Sequence, residues 1–467
     1  MRQKHNRDTA LHSLANEFES MSKRGNSAYF EDRHLFQLIG YYEEEFSPEK
    51  AMEVTDFALR QYKYRIDFYI IKIRLLMQFG EYDAALDLIE YAENISPMEW
   101  ELKLMKCRIY ASQKDYALAI EYISKLKEVS MGQQDYLDLL MEEAHVYEQM
   151  KQFDQMYKVL RNILLEKPDH PQALENIWMS VEVQKNYEES IALHNVLIDS
   201  NPYIFQAWYN LGHAYSCTGE YDKAIQALEY SFIINPDFEF GYKDCAELCF
   251  QVKKYQQALD VYLEYLERFG KEAEIMVSIG QCYLELGDNL KARQYLKKGV
   301  RLDPYNDEVY YCLGMCDLKQ SNYASAIRNF QKAIRIEDRR EEYYAYLADA
   351  YVQSKDWDRA DFYFRKATET GPEQSEYWFK HVRFLIEIGE IRMAMEVLDE
   401  AEYYTCGMEL LYCRAICHLL EEQTEEGFLV LRDALSDHPE GQFLLHEIAP
   451  KLLEDKEVTA MLNYLHG

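Results

Sequence analysis

A spacing of 34 residues governs this chain. Ala51, Ala85 and Ala119 stand 34 apart, and Ala224, Ala258, Ala292, Ala326, Ala360 and Ala394 carry the same spacing onward. Counting back by 34 from Ala224 reaches Ser190 and then Met156. Met156 lies 37 residues past Ala119, so three residues are inserted once, near Ser130, Met131 and Gly132. Gly427 lies 33 past Ala394, a single deletion. A unit this short cannot bury an apolar face alone, so neighbours must stack and share one continuous core.

Two further columns keep the phase. Three residues before the alanine stands an aromatic: Tyr82, Tyr116, Phe153, Tyr187, Tyr221, Tyr255, Tyr323 and Trp357. Twelve residues after it stands proline, at Pro97, Pro168, Pro202, Pro236, Pro304, Pro372 and Pro439. Between these marks apolar residues recur at three and four, as on one face of a helix. Trp208, Leu211 and Tyr215 share such a face, Gly219 breaks it, and Tyr221, Ala224, Ile225 and Leu228 form the next. Asn235-Pro236 ends the second helix, because proline cannot continue a helix interior. A small residue in the first helix (Gly212, Ala246, Gly280, Gly314 or Ala348) and the alanine in the second let the two axes approach closely.

The run Trp208, Leu211, Gly212, Tyr215, Gly219, Tyr221, Ala224 and Pro236 resembles the tetratricopeptide repeat signature. Twelve units follow in near-constant phase: 32–65, 66–99, 100–136, 137–170, 171–204, 205–238, 239–272, 273–306, 307–340, 341–374, 375–407 and 408–441. The resemblance implies an all-α fold, a right-handed superhelical solenoid of stacked antiparallel helical hairpins with the first helices on the concave side. Residues 1–31 and 442–467 are left over. Leu11, Leu14, Phe18 and Met21 share a helical face in the first piece, and the second carries Phe443, Leu444, Ile448, Leu452 and Leu453. They are expected as an N-terminal capping or docking helix and as C-terminal capping helices, since end repeats need a cover.

Charge narrows the partners. The formal net charge is -31, and a surface that acidic repels phosphate backbones, so nucleic acid is not expected. Basic or neutral proteins are. The first twenty residues carry charge and no continuous apolar run, which argues against a signal peptide. Nor does any stretch approach the length of a membrane span. The ten cysteines are scattered, and a reducing cytoplasm is the expected compartment.

Candidate chemistry is thin. Cys245/Cys249, Cys312/Cys316 and Cys413/Cys417 are i, i+4 pairs on different units, spaced unlike a zinc turn, so core packing is expected and no metal or cofactor. No nucleophile elbow, phosphate loop, zinc-protease or dinucleotide motif occurs, and an enzyme is not expected. Some members of the resembled family clamp a terminal carboxylate with Lys and Asn at the fifth and ninth positions of one first helix. Here the fifth position holds lysine only at Lys243, whose ninth-position neighbour is Glu247. That clamp is rejected.

The resemblance places the second, fifth and ninth positions on the concave wall. The fifth is largely apolar and aromatic, with Phe36, Tyr209, Tyr311 and Phe379. The ninth supplies Arg74, Arg108, His145, His213 and Arg383. The second supplies Gln206 and Phe240 amid acids: Asp67, Glu101, Asp138, Glu274, Glu308, Glu342, Glu376 and Glu409. An apolar stripe edged by charge suits an extended or helical peptide. The acids also have a plainer role at helix N-termini, and neutralisation of Asp67 and Glu101 is the plainer reading of Arg74 and Arg108. The expected function is a protein-binding scaffold or adaptor using Arg74, Arg108, His145, Gln206, Tyr209, His213, Phe240, Tyr311, Phe379 and Arg383. The alternative is a regulator whose curvature changes on peptide binding.

Two units break the pattern. In the fifth, Trp178 fills the small-residue slot, Ser190 the alanine slot and His194 an apolar slot. Drift with repacking, and a kink or binding zone, are both open. In the eleventh, His381 and Ile391 stand in the leucine and aromatic slots. Asp317 sits where a tyrosine usually packs, and the sequence offers no account of it.

Overall fold

Each of the twelve hairpins turns on one left-handed backbone step. In chain order the residues with positive φ at that step are Phe46, Gly80, Lys114, Lys151, Lys185, Gly219, Lys253, Gly287, Ser321, Lys355, Gly389 and Glu422. Glycine holds four of these positions and lysine five. The first helix stops there because its last carbonyls are taken by the turn: Asp115 N–H donates to the Tyr110 carbonyl at 2.9 Å and Glu220 N–H to Tyr215 at 2.9 Å. The second helix then begins on the aromatic column and ends two residues before the proline column, as in Tyr221–Ile234 before Pro236.

The computed structural model describes residues 11–21, 29–129 and 131–464, and the chain forms two compact units, Met1–Asn235 and Pro236–Gly467. All the regular structure among the described residues is helical. The first unit carries a helix over 11–21 and six hairpins, from Asp32–Glu44 with Pro48–Gln61 to Phe205–Cys217 with Tyr221–Ile234. The second carries six more, from Glu239–Gln251 with Tyr255–Phe269 to Met408–Leu420 with Thr424–Asp437. Short pieces follow, Phe443–Ile448 and Lys456–Tyr464 being α-helical. The protein is an all-α stack of helical hairpins.

The 34-residue columns are its packing rules. All nine alanines of the series are fully buried, as is Ser190. At the opposing small-residue slot a side chain of the second helix fills the space, so that a Cβ on Gly314 would lie 2.5 Å from the Phe330 ring and one on Gly212 2.7 Å from the Leu228 side chain. Polar ties run from repeat to repeat as well. Buried Asn210 donates to the Leu174 carbonyl at 2.8 Å in the first unit, and Tyr343 Oη donates to Asp307 at 2.7 Å in the second.

The irregular units have physical explanations. Trp178 wedges its hairpin open, so that Pro171–Gln184 and Tyr187–Ser200 approach less closely than the helices of other repeats. Its ring packs instead on Tyr187 and His213, with centroids 6.5 and 5.3 Å away. Ser190 and His194 are a buried pair, with imidazole Nδ1 2.8 Å from the Ser190 carbonyl and 3.2 Å from its hydroxyl. His381 is also buried, its Nε2 2.8 Å from Asp361 and its ring stacked on Phe364. Asp317, unexplained from sequence, is a fully buried carboxylate that pairs with Arg293 and accepts from Asn329 Nδ2 at 2.8 Å. The inserted residues at the third-to-fourth junction lengthen a helix: Gln133–Gln149 runs 17 residues and starts four before the expected boundary at 137. Ser130 lies outside the described residues.

At the N-terminus, helix 11–21 buries Ala15, Phe18 and Met21, and Phe18 meets Phe30 and Phe57 edge-on at 5.8 and 5.6 Å. Residues 1–10 and 22–28 of the expected N-terminal piece lie outside the described set, as do 465–467. At the other end Leu444, Leu445, Ala449 and Val458 are buried, whereas Phe443 is exposed.

Candidate partner-binding groove

Within each unit, first helices of neighbouring repeats lie side by side, so a stripe at the second, fifth and ninth positions forms a wall. In the first unit that wall opens into a groove of about 540 Å³. Arg108 and His145, from the ninth column, line it with Met141, Gln172 and Glu175 from the fifth and second. Met77, Ser112, Glu142, Gln149 and Asn176 complete it. These residues come from Ile66–Phe79, Trp100–Ser112, Gln133–Gln149 and Pro171–Gln184, the first helices of the second to fifth repeats.

Arg108 is fixed by the next repeat. Its Nε donates to Glu142 Oε1 at 2.7 Å, and that carboxylate is mostly buried. The Glu142 hydrogen bond holds the guanidinium above its ordinary pKa, so it stays cationic. His145 is exposed and braced on its own helix, Nδ1 3.1 Å from Glu148 and Nε2 2.9 Å from the Gln149 amide. The arrangement combines a fixed cation, an imidazole, amides and two thioethers, groups suited to hydrogen-bonding a peptide backbone and receiving apolar side chains.

The other predicted wall residues fall elsewhere. Arg74 is exposed and reaches back to Glu43 at 2.9 Å. Arg74 pairs one repeat backward and Arg108 one repeat forward, Arg108 also feels the charge of Glu101, and Asp67 is met by Arg65 at 3.0 Å. Gln206, Tyr209 and His213 are half-buried on Phe205–Cys217, with Tyr209 edge-on to His213 at 4.5 Å. In the second unit Phe240 is exposed beside Phe238, and Tyr311, Phe379 and Arg383 are half-buried. Arg383 pairs with Glu387 at 2.9 Å. The fifth column is not an unbroken wet strip, since Ile70, Leu104, Val277, Ala345 and Tyr412 are buried. Lys243, the lone clamp-like lysine, is held by Glu239 at 2.6 Å and Glu272 at 3.1 Å.

Sequence reasoning missed Met77, Ser112, Glu142, Gln149 and Asn176. They occupy the sixth, twelfth and thirteenth positions of their units. Continuing the two-five-nine stripe by another helical step reaches Met77, Ser112 and Gln149, whereas Glu142 and Asn176 stand one residue past the fifth column.

A second cleft, of about 430 Å³, lies in the second unit between Leu398, Met408, Leu411, Arg414 and His438. Among the described residues no cluster of three or more His, Cys, Asp or Glu side chains is placed to hold a metal ion. The paired cysteines are buried core residues. Burial pushes the Cys316 thiol up to about 11 and Cys417 to about 12, as for inert cysteines packed among apolar groups. Among the described residues no helix is long and apolar enough to cross a membrane.

Comparison with known proteins agrees with the columns. Family models described as tetratricopeptide repeat match residues 72–132, 205–238, 250–307 and 317–380. Superkiller protein 3 of Schizosaccharomyces pombe is 22% identical over 280 residues, 58% of this chain and 20% of that protein. Anaphase-promoting complex subunit 3 of Dictyostelium discoideum is 35% identical over 82 residues, 18% of this chain and 8% of that one. The chain therefore spans a fifth or less of the length of these relatives. Among solved structures, the APC/C hetero-tetramer Cut9-Hcn1 is similar at 15% identity and a TM-score of 0.39, over 93% of this chain and 94% of that one. With its matched segments and its stacked hairpins, this chain is a tetratricopeptide-repeat protein.

Proposed function

We propose that this protein is a cytoplasmic scaffold that holds partner proteins, basic or neutral in character, on the first-helix faces of its repeats, by binding and without catalysis. The observation that carries this is the first-unit groove, where Arg108, His145 and Gln172, from three successive repeats, line one open space with Met77 and Met141. Relatives named as a subunit of a multiprotein complex support the reading. A groove of this kind draws its affinity from a few anchors.

The test is selection of peptides from a random display library on the purified chain, followed by affinity measurement against Met141→Ala combined with Gln172→Ala. The expected result is a loss of at least tenfold with the helical circular dichroism unchanged. Selected peptides that bind the variant as tightly as the parent would place the binding surface elsewhere. The Tyr209→Ala and Phe240→Ala changes are measured as separate variants, since each residue lies in a different unit.

A further inference from the structure

In the second unit, the first helices Asp307–Lys319, Glu341–Gln353 and Ser375–Ile388 carry half-buried aromatic side chains on one face. Tyr311 stands 5.0 Å from Tyr343 and 5.5 Å from Tyr346, and Phe379 follows on the next repeat. Carboxylates accompany them. The charge of Glu342 is felt at Tyr311, and those of Glu342 and Glu376 at Tyr377. Glu308 is met by a neutral group, the Gln281 amide at 2.9 Å, and Glu342 by Arg340 only at 3.7 Å. Arg383 is turned toward Glu387 at 2.9 Å and Glu447 at 3.7 Å.

The face already holds one cation of the chain's own. Lys380 Nζ sits 4.4 Å from the centre of the Tyr346 ring, 3.5 Å from Glu376 and 3.6 Å from Asp349. An ammonium over an aromatic face with carboxylates at its rim is a favourable seat. Lys380 and Arg340, the latter shared with Asp307, are two cations against Glu308, Glu342, Asp349 and Glu376. Burial holds the Asp349 carboxyl above its ordinary range against the opposing pull of Lys380 and Arg383.

We infer that this face docks an extended lysine- or arginine-rich segment of a partner protein, with cations seated on Tyr311 and Tyr346 between the flanking carboxylates. The inference rests on the scaffold reading and gives one of its surfaces a ligand chemistry. Complementarity of charge selects the occupant: an acidic segment is repelled, and a purely apolar one leaves the carboxylates unmatched.

The experiment measures fluorescence anisotropy of a labelled octalysine peptide with the full chain, at low and moderate salt. Five variants accompany the parent, each checked by circular dichroism. Glu342→Gln with Glu376→Gln should weaken binding at least fivefold. Asp87→Asn with Glu90→Gln, an equal charge change on an exposed second helix of the first unit, should change it less than twofold. Lys380→Gln, which empties the intramolecular seat, should tighten binding at least threefold, whereas Lys125→Gln should leave it within the control's range. No binding to the parent, equal losses in both carboxylate pairs, or no gain from Lys380→Gln overturns the inference, the second outcome meaning diffuse attraction to an acidic chain. The first-unit variant Met141→Ala with Gln172→Ala should not affect this probe. If it alone does, basic segments dock in the first groove, and the scaffold reading stands while this inference falls.

Discussion

Asn329 donates its side-chain amide to the buried Asp317 carboxylate at 2.8 Å, while Arg293 of the preceding repeat pairs with the other oxygen. A carboxylate with no exposed surface is therefore satisfied by two neighbours on different helices. Breaking a buried pair by removing one partner strands the other charge, at a cost of about 3–5 kcal/mol. Arg293→Ala should therefore lower the urea midpoint of the second unit's transition substantially. Arg293→Met combined with Asp317→Leu should recover most of the loss. If the single variant unfolds with the parent, the pair contributes nothing.

His194 makes the first unit acid-sensitive. Burial lowers its pKa from 6.5 to about 4, with the Ser190 carbonyl opposing. The folded value lies below the unfolded one, so between these values the unfolded chain binds more protons. Its contribution is fully present above pH 6.5 and is lost as pH falls toward 4. From pH 7.5 to 5 the loss is about 2 kcal/mol by linkage. Urea unfolding at both pH values, on the parent and on His194→Leu, checks this. The variant should lose the corresponding part of the pH dependence, and an identical slope would refute the assignment.

The hairpin-turn step invites a stabilising change. Lys185 adopts φ +56 and Lys151 φ +58, a conformation that costs a residue with a Cβ about 1–2 kcal/mol. Glycine there relieves strain but adds freedom to the unfolded chain, so Lys185→Gly should stabilise by about 0.5–1 kcal/mol. The reverse change, Gly389→Ala at φ +85, should destabilise by a similar or larger amount. Thermal unfolding of the two variants tests the signs, and a destabilised Lys185→Gly would show that the lysine side chain holds the turn.

Gly314 fixes how closely its hairpin closes. A Cβ there would stand 2.5 Å from the Phe330 ring, so Gly314→Val should overpack the crossing by about 1–3 kcal/mol. Phe330→Leu in the same chain should return part of that loss. Calorimetry on the double-mutant cycle gives the coupling, and strict additivity would mean that the two residues do not crowd one another.

Much of the fold was readable because it repeats. A column seen many times, such as the alanines from Ala224 to Ala394, averages out the noise of any single unit. What the columns could not supply is what a side chain does when it leaves them. Asp317 had no sequence account because its partners, Arg293 and Asn329, sit 24 and 12 residues away on other helices. Trp178 was legible as an exception, but not the wedge it drives between its own two helices. In the groove, Arg108 and His145 followed from the ninth column. Glu142 did not, because it stands at the sixth position of its unit, outside the three columns assigned to the wall. The burial of Ile70 and Leu104 also lay beyond a scheme that assigned whole columns to the wall.

The ties that cross from one repeat to the next are close in sequence. Arg74 to Glu43, Arg108 to Glu142, Lys319 to the Leu284 carbonyl and Asn210 to the Leu174 carbonyl join residues 31, 34, 35 and 36 apart. Each can form once little more than one further repeat has left the ribosome. Such a chain can fold in the direction of its synthesis, each hairpin completed on the template of the last. Pulled from one end, it should yield in steps of about one repeat rather than as a single body.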